Sequence, residues 1–150
     1  MKILSSKHLL FTIAAVALTL VVQTTAAAPA PPNPMLFFLG QEFSTTGGKN
    51  VTRYYFDVAN KDEYPADLFE ASPALPPCGT NKNASRTWVD IYDQNGKRLN
   101  GFCALTKPGD LNRIWFALDQ EEVPPSWVYI ELNDRKTNTK YKSNLAETTL

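Results

Sequence analysis

The chain has 150 residues, 43% hydrophobic and 11% aromatic, and its 15 basic and 15 acidic side chains balance. The 15 basic groups less Lys2 and Lys7, which leave with the leader described next, come to 13 against 15 acidic. That slight negative excess gives no electrostatic reason to bind nucleic acid, which wants a basic face, or an anionic membrane surface.

Lys2 and Lys7 open the chain, residues 9–22 are almost wholly apolar, and Gln23-Thr24-Thr25 leads into Ala26-Ala27-Ala28. A charged start, an apolar middle and a small-residue end read as a secretory signal peptide over residues 1–27. A cut after Ala28 would leave Pro29 first in the mature chain, a poor peptidase substrate, so cleavage is expected after Ala26 or Ala27. The apolar run is shorter than the roughly 20 residues a spanning helix needs. No later segment is apolar enough to span, and the C-terminus offers no hydrophobic tail for a lipid anchor. The expected location is therefore extracellular, or periplasmic in a two-membrane bacterium, with no membrane insertion after cleavage. The single histidine, His8, leaves with the signal. Without imidazole, Ser-His-Asp and Cys-His catalysis within one chain are excluded, and the commonest zinc ligand is gone. No metal and no cofactor is expected.

Residues 28–49 read as a Pro-rich lead, extended and polyproline-like over 29–34, with a further strand candidate at 35–39. A β-sandwich domain is expected over 50–143. Its strands are short alternating runs at 51–58, 86–92, 97–105, 111–118, 127–133 and 139–143, broken by Pro, Gly and Asn. Asp93-Gln94-Asn95-Gly96 reads as a hairpin turn, with Asn-Gly supplying the positive φ angles. A second, longer hairpin connection falls at 134–138. The segment 59–85 carries Pro65, Pro73, Pro76 and Pro77 and cannot be a central strand; one or two short helical turns fit at 65–71. Residues 144–150 read as a flexible tail. Cys78 and Cys103, an even pair in an exported chain, read as a disulfide. Closing that loop is worth about 3 kcal/mol by the chain-entropy estimate. The fold class that follows is all-β: a small antiparallel sandwich of about six to seven strands with one disulfide.

Residues i, i+2 and i+4 of a strand share a face. One set is aliphatic and phenyl: Tyr54/Phe56/Val58, Val89/Ile91, Ile114/Phe116/Leu118 and Val128/Ile130/Leu132. These form the expected core. The other set is Arg53/Tyr55/Asp57, Arg86/Trp88/Asp90/Tyr92, Arg113/Trp115 and Trp127/Tyr129/Glu131. It repeats an aromatic flanked by charges and holds all 3 tryptophans. One reading is a ligand face, since Trp and Tyr beside carboxylates and guanidiniums suit sugar rings and are frequent interface hot spots. Its residues are Trp88, Tyr92, Trp115, Trp127 and Tyr129. The structural reading is a ladder of Arg–aromatic and cross-strand aromatic contacts, each worth about 0.5–1 kcal/mol. A third has the 59–85 segment lying over the aromatics as a second small core.

Other motifs carry less. Asn50-Val51-Thr52 and Asn83-Ala84-Ser85 are N-glycosylation acceptors. Residues 90–96 fail as a calcium loop, because Ile91 and Phe102 fall where an EF-hand needs oxygen ligands. A calcium site of another kind, drawing on Asp110 and Asp119, stays open. Glycoside hydrolysis needs two carboxylates about 5–9 Å apart; Glu121-Glu122 sits beside Pro124-Pro125 and reads as a solvated turn. Ser44, Ser72, Ser85, Ser126 and Ser143 show no nucleophile turn.

Val123-Pro124-Pro125-Ser126-Trp127-Val128-Tyr129 resembles a pattern of fibronectin type III and immunoglobulin-like domains, in which an aliphatic residue stands six before a corner tyrosine. Trp88 is then the counterpart of the buried strand-C Trp, and Trp127 starts the last hairpin. Glu131, and a Cys spacing unlike the inter-sheet bridge, depart from the family. The resemblance implies a sandwich that binds rather than catalyses. The expected function is a secreted, non-catalytic binding or adhesion module for a glycan or an extracellular protein. The alternatives are an inhibitor or effector acting through the 59–85 loop, and a weak carboxylate-dependent hydrolase.

Overall fold

A computed structural model describes residues 30–149. The signal peptide and its cleavage site lie outside these residues. Eight strands follow in order: β1 (Leu36–Thr46), β2 (Lys49–Val58), β3 (Thr87–Asp93), β4 (Arg98–Phe102), β5 (Ile114–Asp119), β6 (Trp127–Asp134), β7 (Thr139–Lys142) and β8 (Ala146–Glu147). They form two antiparallel sheets, β1-β2-β5 and β4-β3-β6-β7, with β8 also pairing β6. The sandwich and the Cys78–Cys103 disulfide are as the sequence implies.

The alternating pattern sets which side chains meet between the sheets. Tyr54, Phe56 and Val58 of β2 and Ile114 and Phe116 of β5 face Val89 and Ile91 of β3 and Val128, Ile130 and Leu132 of β6, all buried. Tyr54 and Phe116 stack at 5.0 Å, and Phe56 lies 5.9 Å from the same Phe116 ring. Each fully buried Phe or Ile contributes about 1.5–3 kcal/mol relative to exposure.

Three expectations about the ends of elements change. The lead over 28–49 is strand from Leu36 onward, because Gly47 and Gly48 (φ 60° and 79°) make a two-residue hairpin turn into β2. The tail over 144–150 contributes β8, and Thr148 is buried. Residues 111–113 belong to a 3₁₀ helix (Pro108–Arg113) rather than a strand, since Asp110 accepts from Thr106 N–H, Thr106 Oγ1 and Lys107 N–H and so closes the turn. The Asp110 carboxylate is thereby committed to that turn. Burial pushes it up, and these donors outweigh burial and hold it below its usual range.

Both edges where the sheets approach each other are bridged by an asparagine amide. Asn100 of β4 donates from Nδ2 to the Trp115 carbonyl of β5 (2.6 Å). Asn144 accepts from Leu36 N–H (2.8 Å) and donates to Leu36 O (2.9 Å), taking the place of a strand along β1. Between β7 and β8, Ser143 Oγ accepts the Ile130 N–H that the interruption would orphan.

The 59–85 segment is ordered and closes one end of the core. Tyr64, Leu68 and Phe69 are buried there, the last two in a 3₁₀ helix (Ala66–Phe69). Arg86 ties it down with two bonds to Asp134 (2.9 and 2.7 Å) and one to Asp67 (2.6 Å). Arg135 adds bonds to the carbonyls of Ser85 and Pro76. The segment is a brace for the core end and does not bury the aromatic set as a second core.

Candidate functional site

The five aromatic candidates divide between the two sheets. Trp88 and Tyr92 on β3 and Trp127 and Tyr129 on β6 share the outer face of the five-stranded sheet. Trp115 sits on β5, in the other sheet, so it joins no single patch with them.

On the three-stranded sheet Phe37 is 42% exposed near the start of β1, but the two aromatics of β2 and β5 on the outer face are covered. Tyr55 and Trp115 are directly paired across β2 and β5. Arg113 lies 4.3 Å over Tyr55 and Arg53 lies 5.0 Å over Trp115. Arg113 also pairs with Glu42 of β1 at 2.7 Å. The Tyr55 hydroxyl, then Arg113, hold the Glu42 carboxyl below its usual range. Phe102 meets the Trp115 ring edge-on at 6.0 Å across the seam. Trp115 is therefore a structural element.

The five-stranded face is arranged in cross-strand rows set by register. Tyr92 and Tyr129 are directly opposite and stack at 5.3 Å with an 18° interplanar angle. Asp90 and Glu131 form the next row outward along the strands, and Trp88 and Asn133 the one after. Opposed carboxylates on neighbouring strands repel, and cations on the flanking strands offset this. Arg98 of β4 bonds Asp90 (2.6 Å), Asn133 Nδ2 bonds its second oxygen (3.1 Å), and Lys140 of β7 bonds Glu131 (3.1 Å). A side chain at Gly101 would meet the ends of the Arg98 and Asp90 side chains, so that ion pair would have to shift to admit it. Burial, then the Asp90 and Glu131 charges, push the Tyr92 hydroxyl up. The Glu131 carboxylate raises Lys140.

Two rings of this face carry their own cations. Arg135 lies 4.1 Å over Trp88 and Lys142 lies 3.8 Å over Tyr129. Trp127 differs: it is 39% exposed, and among the described residues no cation stacks on it. Its backbone is fixed by the turn at 93–96, since Gln94 N–H donates to Trp127 O (3.1 Å) and Trp127 N–H donates to Gln94 Oε1 (3.3 Å).

The corner suggested by Val123 and Tyr129 does not form. Val123 is 89% exposed, and Tyr129 faces outward against Tyr92. Trp88 likewise lies on an outer face rather than in the core. Both sequon asparagines, Asn50 and Asn83, are exposed. No group of three or more His, Cys, Asp or Glu side chains is placed to hold a metal among the described residues. Sequence reasoning missed Arg98, Lys140 and Lys142 as members of the site. For the lysines the signal was their alternation with Tyr141, visible only once β7 is known to flank β6; Arg98 gave none, because a register shift on β4 puts it opposite Tyr92 while Asn100 lies opposite Ile91. No protein-family model matches the chain, and neither curated proteins nor solved structures return a match.

Proposed function

We propose that this chain is a secreted, non-catalytic binding module that docks a protein partner on the outer face of its five-stranded sheet. Tyr92, Trp127 and Tyr129 are the anchors, ringed by Asp90, Arg98, Glu131, Lys140 and Lys142. The observation that carries this reading is Trp127, a half-exposed indole without a cation of its own beside a stacked tyrosine pair. Aromatic anchors inside a polar rim are the usual anatomy of a protein interface. A sugar ring is the poorer fit, because it would have to displace Lys142 from Tyr129 and Arg135 from Trp88 before stacking. A protein partner can instead use those cations and the two carboxylates as its rim. The hydrolase reading is weaker still: Asp90 and Glu131 are opposed on an open sheet face, and each is already bonded.

Photo-crosslinking from a probe at Gln94, beside Trp127, tests this in the medium or envelope fraction of the producing cells. One protein partner is expected. Its yield should fall at least tenfold in Trp127→Ala/Tyr92→Ala and stay level in Phe43→Ser on the opposite sheet. Retention of a glycan panel with no protein adduct would overturn the choice of ligand. N-terminal sequencing of the exported protein, expected to begin at Ala27 or Ala28, checks the export.

A further inference from the structure

We propose that the open edge of β1 pairs with the same edge of a second copy, joining two three-stranded sheets into one six-stranded sheet about a twofold axis at Phe43. The proposal concerns the sheet opposite the partner face and stands independently of it.

β2 is paired with β5 only as far as Val51. Beyond it, residues Thr45 to Asn50 form a two-stranded ribbon around the Gly47-Gly48 turn, and Phe43, opposite Thr52, stands just before it on the open edge of β1. Two strands alone are marginal in water, and next to this ribbon β1 carries the most exposed aromatic among the described residues, Phe43, at 71%. In an antiparallel ladder every second residue turns its N–H and C=O to the far side. With Glu42 paired to Arg53 on β2, the groups of Gln41, Phe43 and Thr45 point away from it.

The other edges are managed. β7 is four residues long and carries Lys140 and Lys142, and short, lysine-bearing edges resist strand addition. β4 is sealed to β5 by Asn100, and the start of β1 is sealed by Asn144. From Gln41 to Thr46 β1 has no Pro, no Lys and no bulge; its irregularity lies at Phe38/Gly40.

What selects a second copy is that this stretch complements itself. Centred on Phe43, the antiparallel register sets Phe43 against Phe43, Gln41 against Thr45 and Glu42 against Ser44. All three outward-facing residues of each copy then meet outward-facing residues of the other, so six backbone hydrogen bonds close. No like charges oppose, because Glu42 is the sole charge on the stretch and Arg113 already neutralises it. The two Phe43 rings meet on one face of the joined sheet.

Sedimentation velocity of the mature, oxidised chain over a concentration series should show reversible dimerisation, weakened at least tenfold by Phe43→Lys. Directly opposed hydrogen-bonded residues sit about 5.5 Å apart at Cα, within reach of a disulfide. Phe43→Cys should therefore cross-link with itself under mild oxidation, and Ser44→Cys should not. A wild-type chain monomeric throughout the series overturns the proposal. So does a dimer that survives Phe43→Lys, or one that cross-links equally through Ser44→Cys. Should Phe43→Lys lose its fold by circular dichroism, the cysteine pair decides alone.

Discussion

On the three-stranded sheet, Arg113 covers Tyr55 and Arg53 covers Trp115; on the five-stranded sheet, Tyr92 stacks on Tyr129 beside two opposed carboxylates and Trp127 carries no cation. The same alternation of aromatic and charge produces both faces. The difference comes from the neighbours. β2 brings Arg53 over the ring on β5, and the 3₁₀ helix that leads into β5 brings Arg113 over the ring on β2, whereas β3 and β6 bring Asp90 against Glu131 and spend Arg98 and Lys140 on neutralising that pair. An aromatic–charge repeat is thus a structural ladder or an open platform according to cross-strand register.

The sharpest contrast lies in the ion pairs. Asp134 is 2% exposed and holds Arg86 with two bonds, so Asp134→Ala leaves a guanidinium without its main partner and should cost about 3 kcal/mol. Glu42 and Arg113 are both exposed, and Glu42→Ala should leave the denaturation midpoint close to that of the wild type. Urea denaturation of both variants measures the gap, and equal costs would erase the distinction. The tryptophans come next. Trp115→Ala removes a ring packed on Arg53 and Phe102 and should cost about 2–3 kcal/mol, while Trp127→Ala should cost under about 1 kcal/mol.

Acid offers a third test. Burial raises Asp134, but its bonds from Arg86, Thr137 and Lys136 outweigh this and hold its pKa at about 2 against an ordinary 3.8. A carboxylate depressed in the folded state stabilises it fully above the unfolded pKa and loses that contribution as pH falls through the folded one. About 2 kcal/mol should therefore disappear between pH 4 and 2, and Asp134→Asn should show a flatter loss over that window. The smallest effect is optical: one indole of three should be open to iodide, and Trp127→Phe should remove the quenchable fraction while leaving the fold intact.

Much of this architecture is legible in the chain. Period-two alternation marks the inward residues of β2, β3, β5 and β6, because a strand buried on one face must alternate. It cannot say which strands share a sheet, and so Trp115 joined the other four aromatics on paper and leaves them in space. The later half of β1 was missed because Phe43-Ser44-Thr45-Thr46 lies past the core and has no alternation to show, although Gly47-Gly48 is a hairpin signal. β8 is two residues long, too short for any periodic signature. The cations that cap or spare each ring depend on register, which turn lengths and bulges set.

Asn100, whose amide joins β4 to β5, is followed by Gly101. Glycine is the neighbour that least hinders a backbone nitrogen from attacking the preceding carboxamide. Attack there would expel ammonia to give a cyclic imide, and water opening that ring would leave a carboxylate in place of the donor facing the Trp115 carbonyl. The closure between the sheets is then also a clock: as the protein ages, peptide mapping should find a deamidated product at Asn100 later than at the exposed Asn95-Gly96 turn, and the seam should loosen as it accumulates.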